Sequence, residues 1–390
     1  MHFELNDDQK LIRKTVADFV KKELTLERMR KMRDDEIGFS REIYRQMGEL
    51  GWLGIHLPEA AGGFGGSFVD ASIILEQFGG ALVSEPFTES VVVAARAVLA
   101  GPSERWEALL GSALAGDTVM SLAWLEADQR YDVTRVATTA TRREKGFHIA
   151  GAKRWVLAGN AADIFIVSAR MAGEPGDRNG VALFAVPADA GGVTVKAVKT
   201  MDGRRAAMVD FDVTVATDAL LVSGDGDRAV AALEAALDYG AAAACAEGYG
   251  VMKASLEMTL EYLKTREQFG KKIGVFQALQ HRAVDMFVQT ELAKSTAILA
   301  AIRVDAQDSE ERQRAVSVAK ARLATAGKFV TQQATQLHGG IGVTDEHDIG
   351  LYFKRMQILS TLYGDEAFHV RRFAGLPGFI PEEMSDKTTA

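Results

Sequence analysis

The chain holds a single cysteine, Cys245, among its 390 residues. An internal disulfide is thereby excluded, and the composition fits a reducing compartment. Positive charge is not in excess either. The 45 Lys and Arg stand against 53 Asp and Glu, a formal net charge of −8, which argues against a nucleic-acid partner. No uninterrupted apolar run approaches the roughly 18 residues of a membrane span. Residues 1–30 carry charges throughout and contain no apolar segment of the signal-peptide kind. These absences lead us to expect a soluble, cytoplasmic protein with no membrane association. Internal repeats are missing too, and the only biased segment is the alanine-rich 229–246. With 47% hydrophobic and 25% charged residues, the chain has the balance of a globular protein. Its length predicts two or three domains with large cores.

Periodicity changes twice along the chain. Residues 7–33 have the apolar spacing of an amphipathic helix, with Leu11, Ile12, Val16, Phe19 and Val20 on one side and Asn6 or Asp7 placed to cap it. A second helix runs from Ser40, its cap, to Leu50. Helices continue over 70–80, 88–100 and 103–111. The glycine-rich loop Pro58 to Gly66 could offer amides to a phosphate, but such a loop is more often only a turn-rich connection, and no Lys, Ser or Thr stands where a P-loop needs one. From Thr118 to Val215 the apolar residues come in short or alternating runs: Val119–Trp124, Val133–Thr139, Phe147–Ile149, Ile164–Ser168, Val181–Val186, Val193–Val198 and Ala207–Val213. Short strands at this spacing predict an antiparallel barrel or sandwich. Beyond Gly224–Asp227 four long helical segments follow, 229–266, 277–306, 310–338 and about 346–373, which read as a four-helix bundle. The tail after Gly375 is polar and expected to be loosely held. The organisation is thus α+β in three domains: an N-terminal all-α domain over 1–116, a middle β domain over 117–224 and a C-terminal bundle over 225–390.

The stretch from Lys264 to Met286 carries the most specific information. Its charged start keeps helical spacing, Gly270 interrupts the pattern, and a new helix begins near Gln277. Arg266 therefore lies at a helix end beside Phe269, where a guanidinium offers forked donors to phosphate oxygens. The whole run, R-x-Q-F-G-x-x-I-x-x-F-Q with Asp285-Met286 after it, resembles the signature of the acyl-CoA dehydrogenase family. So do Leu5-x-x-x-Gln9, Pro58-Glu59-x-x-Gly62-Gly63, Gly151-x-Lys153-x-Trp155 and Gln336-Leu337-His338-Gly339-Gly340-Ile341-Gly342. The resemblance covers nearly the whole chain and implies the same order of α domain, β domain and four-helix bundle.

It also implies a reaction: removal of two hydrogens from the Cα–Cβ bond of an acyl-CoA thioester, with FAD as cofactor and an electron-transferring flavoprotein as the usual acceptor. In the family each FAD lies between two subunits. Carried over, the contacts made by a bundle to the pyrophosphate and adenosine half fall to Arg266, Gln268, Phe269, Gln336, Gly339 and Gly340, all present here. The flavin-ring side departs from the pattern. Where the family has T-E-P-x-x-G-S-D, this chain has Leu125-Glu126-Ala127-Asp128-Gln129-Arg130-Tyr131-Asp132. Where it has K-x-W-I-T/S-N-G, the chain has Lys153-Arg154-Trp155-Val156-Leu157-Ala158-Gly159, so Leu157 replaces the flavin-bonding hydroxyl; Trp155 reads either as a family contact or as core packing. Most members carry the catalytic base in Y-E-G-T. Here the run is Leu362-Tyr363-Gly364-Asp365, with Tyr363 in the glutamate's place, and tyrosine, with a pKa of about 10, is a poor base at neutral pH. The alternative family position, on the first bundle helix, falls on Gly240.

No catalytic residue is therefore assigned. Asp365 and Glu366 read as surface or capping groups, Asp238 is a further nearby carboxylate, and Glu247 reads as half of a structural ion pair. His338 reads as a helix-end cap or a satisfied partner, with no second ligand at metal spacing, so no metal site is expected. Three readings follow. The chain is a partner subunit of a heteromeric acyl-CoA dehydrogenase of the α2β2 kind, giving FAD contacts in trans to a catalytic chain. Or it is a self-sufficient homotetramer using Asp365 or Glu366 as a displaced base. Or it is a non-enzymatic scaffold or acyl-CoA binder, which the presence of Arg266, Gln268 and Gln336 together argues against.

Overall fold

Asn6 opens the first helix with a reciprocal cap: its side chain accepts the Gln9 amide at 2.8 Å and the Gln9 side chain accepts the Asn6 amide at 3.2 Å. The computed structural model describes residues 4–378, so the end of the polar tail lies outside the described residues. The helix expected over 7–33 is two, α1 (Asp7–Glu23) and α2 (Leu26–Asp34). Leu24 leaves helical geometry at φ −116° and ψ 52°, and its side chain is buried. Helix α3 (Arg41–Glu49) starts, as read, at Ser40, whose side chain accepts the Ile43 amide. The glycine-rich loop is a set of turns. The amides of Gly63, Phe64, Gly65 and Gly66 donate to the carbonyls of Pro58, Gly54, Leu57 and Ile55, so none of these four is left for a phosphate. Then come α4 (Phe68–Ala81), a π-helical segment Phe87–Ala94 leading into α5 (Ala95–Leu99), and α6 (Trp106–Leu114).

Eight strands follow: β1 (Met120–Ala123), β2 (Thr139–Arg143), β3 (Gly146–Leu157), β4 (Ile164–Arg170), β5 (Val181–Pro187), β6 (Val193–Lys199), β7 (Arg205–Val215) and β8 (Leu220–Val222). Their order is β6-β7-β3-β2-β4-β5-β8, mostly antiparallel, with β1 added in parallel beside β4. Alternation puts Phe147, Ile149, Phe165, Phe184, Val209 and Phe211 into one core. Residues 133–139, expected as a strand, are not one except at the last position. Side chains take their backbone groups instead: Glu126 accepts the amides of Ala137 and Thr138 at 2.8 and 3.1 Å. Arg170, at the end of β4, donates to the carbonyls of Thr134, Val136, Ala172, Asp177 and Asn179. One buried guanidinium thus ties two loops together.

The last part consists of α7 (Arg228–Thr265), a hairpin of β9 (Glu267–Gln268) and β10 (Lys271–Lys272), α8 (Gln277–Arg303), α9 (Ser309–His338), α10 (Ile349–Leu359) and α11 (Glu366–Ala374). The segment expected as one helix over 346–373 is broken at Ser360–Asp365, where Tyr363 and Gly364 take φ of 57° and 119°. Helix α7 has the length and apolar composition of a membrane span, yet 78% of its apolar window is buried inside the protein. Contacts divide the chain into two compact units. One is helical and is built from the residues up to 26, 68–83 and those from 241 on; the other comprises 27–67 and 84–240 and contains the sheet. In the helical unit α9 packs on α8, α10 and α11, while α4 packs on α1 and α8. Glycines let α4 and α7 touch backbone to backbone: a Cβ on Gly79 would lie 2.0 Å from the Glu247 carbonyl oxygen, and one on Gly250 2.0 Å from that of Glu76.

Candidate functional site

In the helical unit the chain leaves α7 at Arg266, whose amide donates to the Tyr262 carbonyl at 2.8 Å and whose carbonyl accepts from Ile273 at 2.9 Å. The β9–β10 hairpin then turns at Phe269 and Gly270, with φ of 55° and 74°, the pair of left-handed residues that a tight two-residue hairpin needs. Phe269 is consequently held out from the surface, 88% exposed, with an edge-on contact to Phe276 at 6.0 Å. Arg266 and Gln268 are exposed as well. At the C-terminal end of α9, Gln336, Gly339 and Gly340 are exposed, and a Cβ on either glycine would meet no atom within 4 Å. The two segments converge through side chains beneath them, because the Tyr262 ring lies 4.4 Å from that of His338. A guanidinium, two amide side chains, an exposed aromatic ring and two open glycine faces therefore share one surface. This donor set suits a phosphate-bearing ligand with an aromatic part.

The stretches expected beside the flavin ring lie in the sheet unit. Register slips between Lys153 and Val156, and within that bulge Trp155 takes φ of 53° and stands 51% exposed. It is not core packing. A bulky residue in left-handed geometry is a rare and strained choice, of the kind found where a side chain must be aimed. Beneath it Lys153 is fully buried, donating to Glu126 at 2.7 Å and Ser168 at 2.9 Å. Burial pulls the Lys153 ammonium down to about 8, against the pull of Glu126. For Glu126, burial pushes up, but the Lys153 charge and the hydrogen bonds to it outweigh that and hold the carboxyl below its usual range. Arg130, where the family has glycine, adopts φ of 51°. Gln129 accepts the Glu126 amide, and Asp132 caps Thr134. Leu125 and Leu157 are half-buried and bring no polar group.

Neither base position holds a carboxylate. Gly240 lies buried within α7. Tyr363 occupies the helix break, where the two carbonyls of the turn are gripped from behind: His369 Nε2 donates to Tyr363 O at 3.1 Å and Lys320 Nζ to Gly364 O at 2.9 Å. Both gripping side chains, Lys320 and His369, are fully buried. Burial lowers Lys320 to about 8 and, helped by the Lys320 charge, His369 to about 3, so His369 is neutral. Burial likewise pushes the nearby Cys245 thiol up to about 12, which leaves it inert. Asp365 is the N-cap of α11, accepting the Phe368 amide at 2.8 Å, and Glu366 is exposed. Glu247 is locked in a buried two-pronged pair with Arg355, both contacts 2.8 Å. The sequence offered only one cue to Lys320 and His369: a lysine in the apolar phase of α9, between Val316 and Leu323.

Residues 6–117, 121–213 and 229–374 match the N-terminal, middle and C-terminal domains of acyl-CoA dehydrogenases. A three-part dehydrogenase fold is thus defined, and the chain belongs to the acyl-CoA dehydrogenase family. It is 30% identical over 372 residues to the acyl-CoA dehydrogenase IpdE2 of Mycolicibacterium smegmatis, covering 94% of this chain and 98% of that protein. Among solved structures it resembles a chain of the ChsE4–ChsE5 complex of Mycobacterium tuberculosis, at 27% identity, TM-score 0.85 and complete coverage of both. It also resembles a variant of the Tcur3481–Tcur3483 steroid ACAD, at 28% identity and TM-score 0.82, covering 94% of this chain and 97% of that one. Members of this family are FAD-binding flavoproteins acting as oxidoreductases on acyl-CoA.

Proposed function

We propose that this chain is the non-catalytic subunit of a heteromeric FAD-dependent acyl-CoA dehydrogenase, supplying cofactor contacts in trans to a partner chain that carries the base. One observation carries the reading. Arg266, Gln268, Phe269, Gln336 and the Gly339–Gly340 turn offer contacts to a dinucleotide, while neither base position holds a carboxylate, Asp365 caps α11, Glu247 is paired with Arg355 and Glu366 is exposed. Of the two displaced-base candidates, Asp365 is already spent on a helix cap and Glu366 is out in solvent. Bound FAD would supply the acceptor for the β-hydride of the acyl-CoA. The chain's own part is to hold it: Arg266 against the pyrophosphate, Gln268 and Gln336 as further donors, Phe269 against the cofactor and Gly339–Gly340 as the point of close backbone approach. An electron-transferring flavoprotein is the acceptor we assign. An α2β2 assembly is supported by α8, where Val284, Phe287, Val288, Leu292 and Leu299 recur at helical spacing and stand exposed. Relatives described as complexes, ChsE4–ChsE5 and a caffeyl-CoA reductase–Etf complex subunit, favour the same reading. The test is flavin absorbance and dehydrogenase activity of the chain purified alone and then with the product of a neighbouring gene. A monodisperse, FAD-saturated, active homotetramer would overturn the proposal.

Arg266→Ala should lower FAD affinity of the assembly by about one to two decades, the scale of a charged hydrogen bond worth roughly 1.5–3 kcal/mol. Flavin content after dialysis reads this directly, and unchanged content removes Arg266 from the site.

Tyr363→Phe, Asp365→Asn and Glu366→Gln should each leave kcat of the reconstituted complex within a few-fold. Asparagine caps a helix about as well as aspartate, so Asp365→Asn separates chemistry from stability. A loss of about two decades or more, the scale of general-base catalysis, would return catalysis to this chain.

A further inference from the structure

Beneath the cofactor-contacting surface lies a group of side chains with no part in the assignments above. His338, 2% exposed, is the last residue of α9, directly before Gly339. On one side its ring lies 4.4 Å from Tyr262, one turn before Arg266. On the other it lies 4.5 Å from His347, in the connection to α10, and Tyr262 meets His347 edge-on at 6.3 Å. The protonation states follow from the hydrogen bonds. His338 Nδ1 is 2.8 Å from the Ala334 carbonyl, so it carries the proton and donates. His338 Nε2 is buried and has no partner. His347 Nδ1 accepts the Ile349 amide at 3.1 Å, at the start of α10, so that nitrogen is unprotonated. A second proton on His338 would bury an N–H with no acceptor beside another imidazole.

We propose that the Tyr262–His338–His347 stack is the positioning element of the dinucleotide-contacting surface, holding Arg266 and the Gly339–Gly340 turn in register only while the His338 imidazole is neutral. The inference rests on the cofactor role proposed for that surface. It makes His338 and His347 positioning residues, neither of them touching substrate. Asp345 is taken by Lys354 of α10 at 3.7 Å, and Glu261 on α7 by Lys264 at 2.7 Å. Asp348 follows His347 at the head of α10, and Glu346 is exposed. Burial, with a smaller push from His347, holds His338 below the usual histidine range, while its bond to Ala334 opposes. The sign is then set. The folded stack binds fewer protons than the opened one, so its contribution is full above about pH 6.5 and is lost as pH falls through the depressed value.

FAD binding to the full chain in its native assembly should weaken severalfold, up to about tenfold, between pH 7.5 and 5.5, the most that one linked proton with an open-state pKa of about 6.5 allows over that range. His338→Phe keeps a ring in the stack without a titrating nitrogen. It should bind FAD within about threefold of wild type at pH 7.5 and remain flat down to pH 5.5. His338→Ala, which empties the stack, should weaken binding about tenfold at pH 7.5; if it does not fold, His338→Phe alone decides. Amide-exchange protection over 336–349 without added cofactor gives a second readout: it should fall with pH in wild type and hold in His338→Phe. A wild type flat over this range, or a His338→Phe that follows a falling wild type, overturns the inference. Arg266→Ala is run alongside. If it keeps FAD, the cofactor reading of the surface has failed and the protection factors alone judge the stack. If it loses FAD while His338→Phe tracks wild type in both readouts, only the positioning role is refuted.

Discussion

Arg355→Met is expected to cost roughly 3–5 kcal/mol of stability, because it strands the Glu247 carboxylate in the helical unit without its counter-charge. Both side chains are almost entirely buried, at 5% and 4% exposure. The large single-mutant cost measures the isolated charge, not the worth of the pair. Replacing both partners, as Arg355→Met with Glu247→Leu, should therefore recover most of the loss, since buried pairs are often matched by apolar side chains of similar volume. Urea melts of the two singles and the double close a thermodynamic cycle. A single-mutant cost below about 1 kcal/mol would mean that water reaches Glu247, and the pair would no longer count as structural.

Gly250→Val should abolish the folded helical unit or destabilise it by more than about 5 kcal/mol, an exceptional value for one side chain. The reason is geometric. A Cβ on Gly250 would sit 2.0 Å from the Glu76 carbonyl oxygen and 3.0 Å from the Gly80 nitrogen, both backbone atoms of α4 that no rotamer change can move. Even Gly250→Ala should lose several kcal/mol, although alanine is the better helix former by about 1 kcal/mol. Gly111 in α6 is the control. A Cβ there meets nothing within 4 Å, so Gly111→Ala should stabilise by roughly 0.5–1 kcal/mol. Thermal melts of the three variants test the pattern. A Gly250→Ala protein as stable as wild type would show that α4 and α7 can part without penalty.

Local chemistry was readable wherever one residue acts on its neighbours. Asn6 and Ser40 cap the helices their positions suggested, and Asp365 proved to be a cap as well. The break in the last helical segment had a visible cue in Tyr363-Gly364-Asp365, but apolar periodicity outweighed it. Residues 133–139 looked like a strand because their apolar residues fit one. What prevents it is Glu126 and Arg170, reaching in from elsewhere in the chain. Arg266 and Gly339 stood out through the resemblance of their motifs to a family signature, and both lie directly after the ends of long helices. The grips of Lys320 and His369 on the Tyr363 turn, and the stack under Gly339, could not be read from the sequence, since each joins segments far apart in it. Trp155 was ambiguous for a related reason: its exposure depends on a one-residue bulge in β3, which periodicity does not reveal.

Arg170 has a consequence for how the sheet unit depends on its surroundings. Loops that must be gathered at the edge of a sheet are often pinned by a calcium ion or a disulfide, and either makes the fold depend on a supply of ions or on an oxidising environment. Here five main-chain carbonyls converge on one guanidinium that the chain itself carries. This cross-link is present once β4 is in place. No chelator can extract it and no reductant can cut it. Lysine could not replace it, because a single ammonium offers three donors where the planar fork offers five.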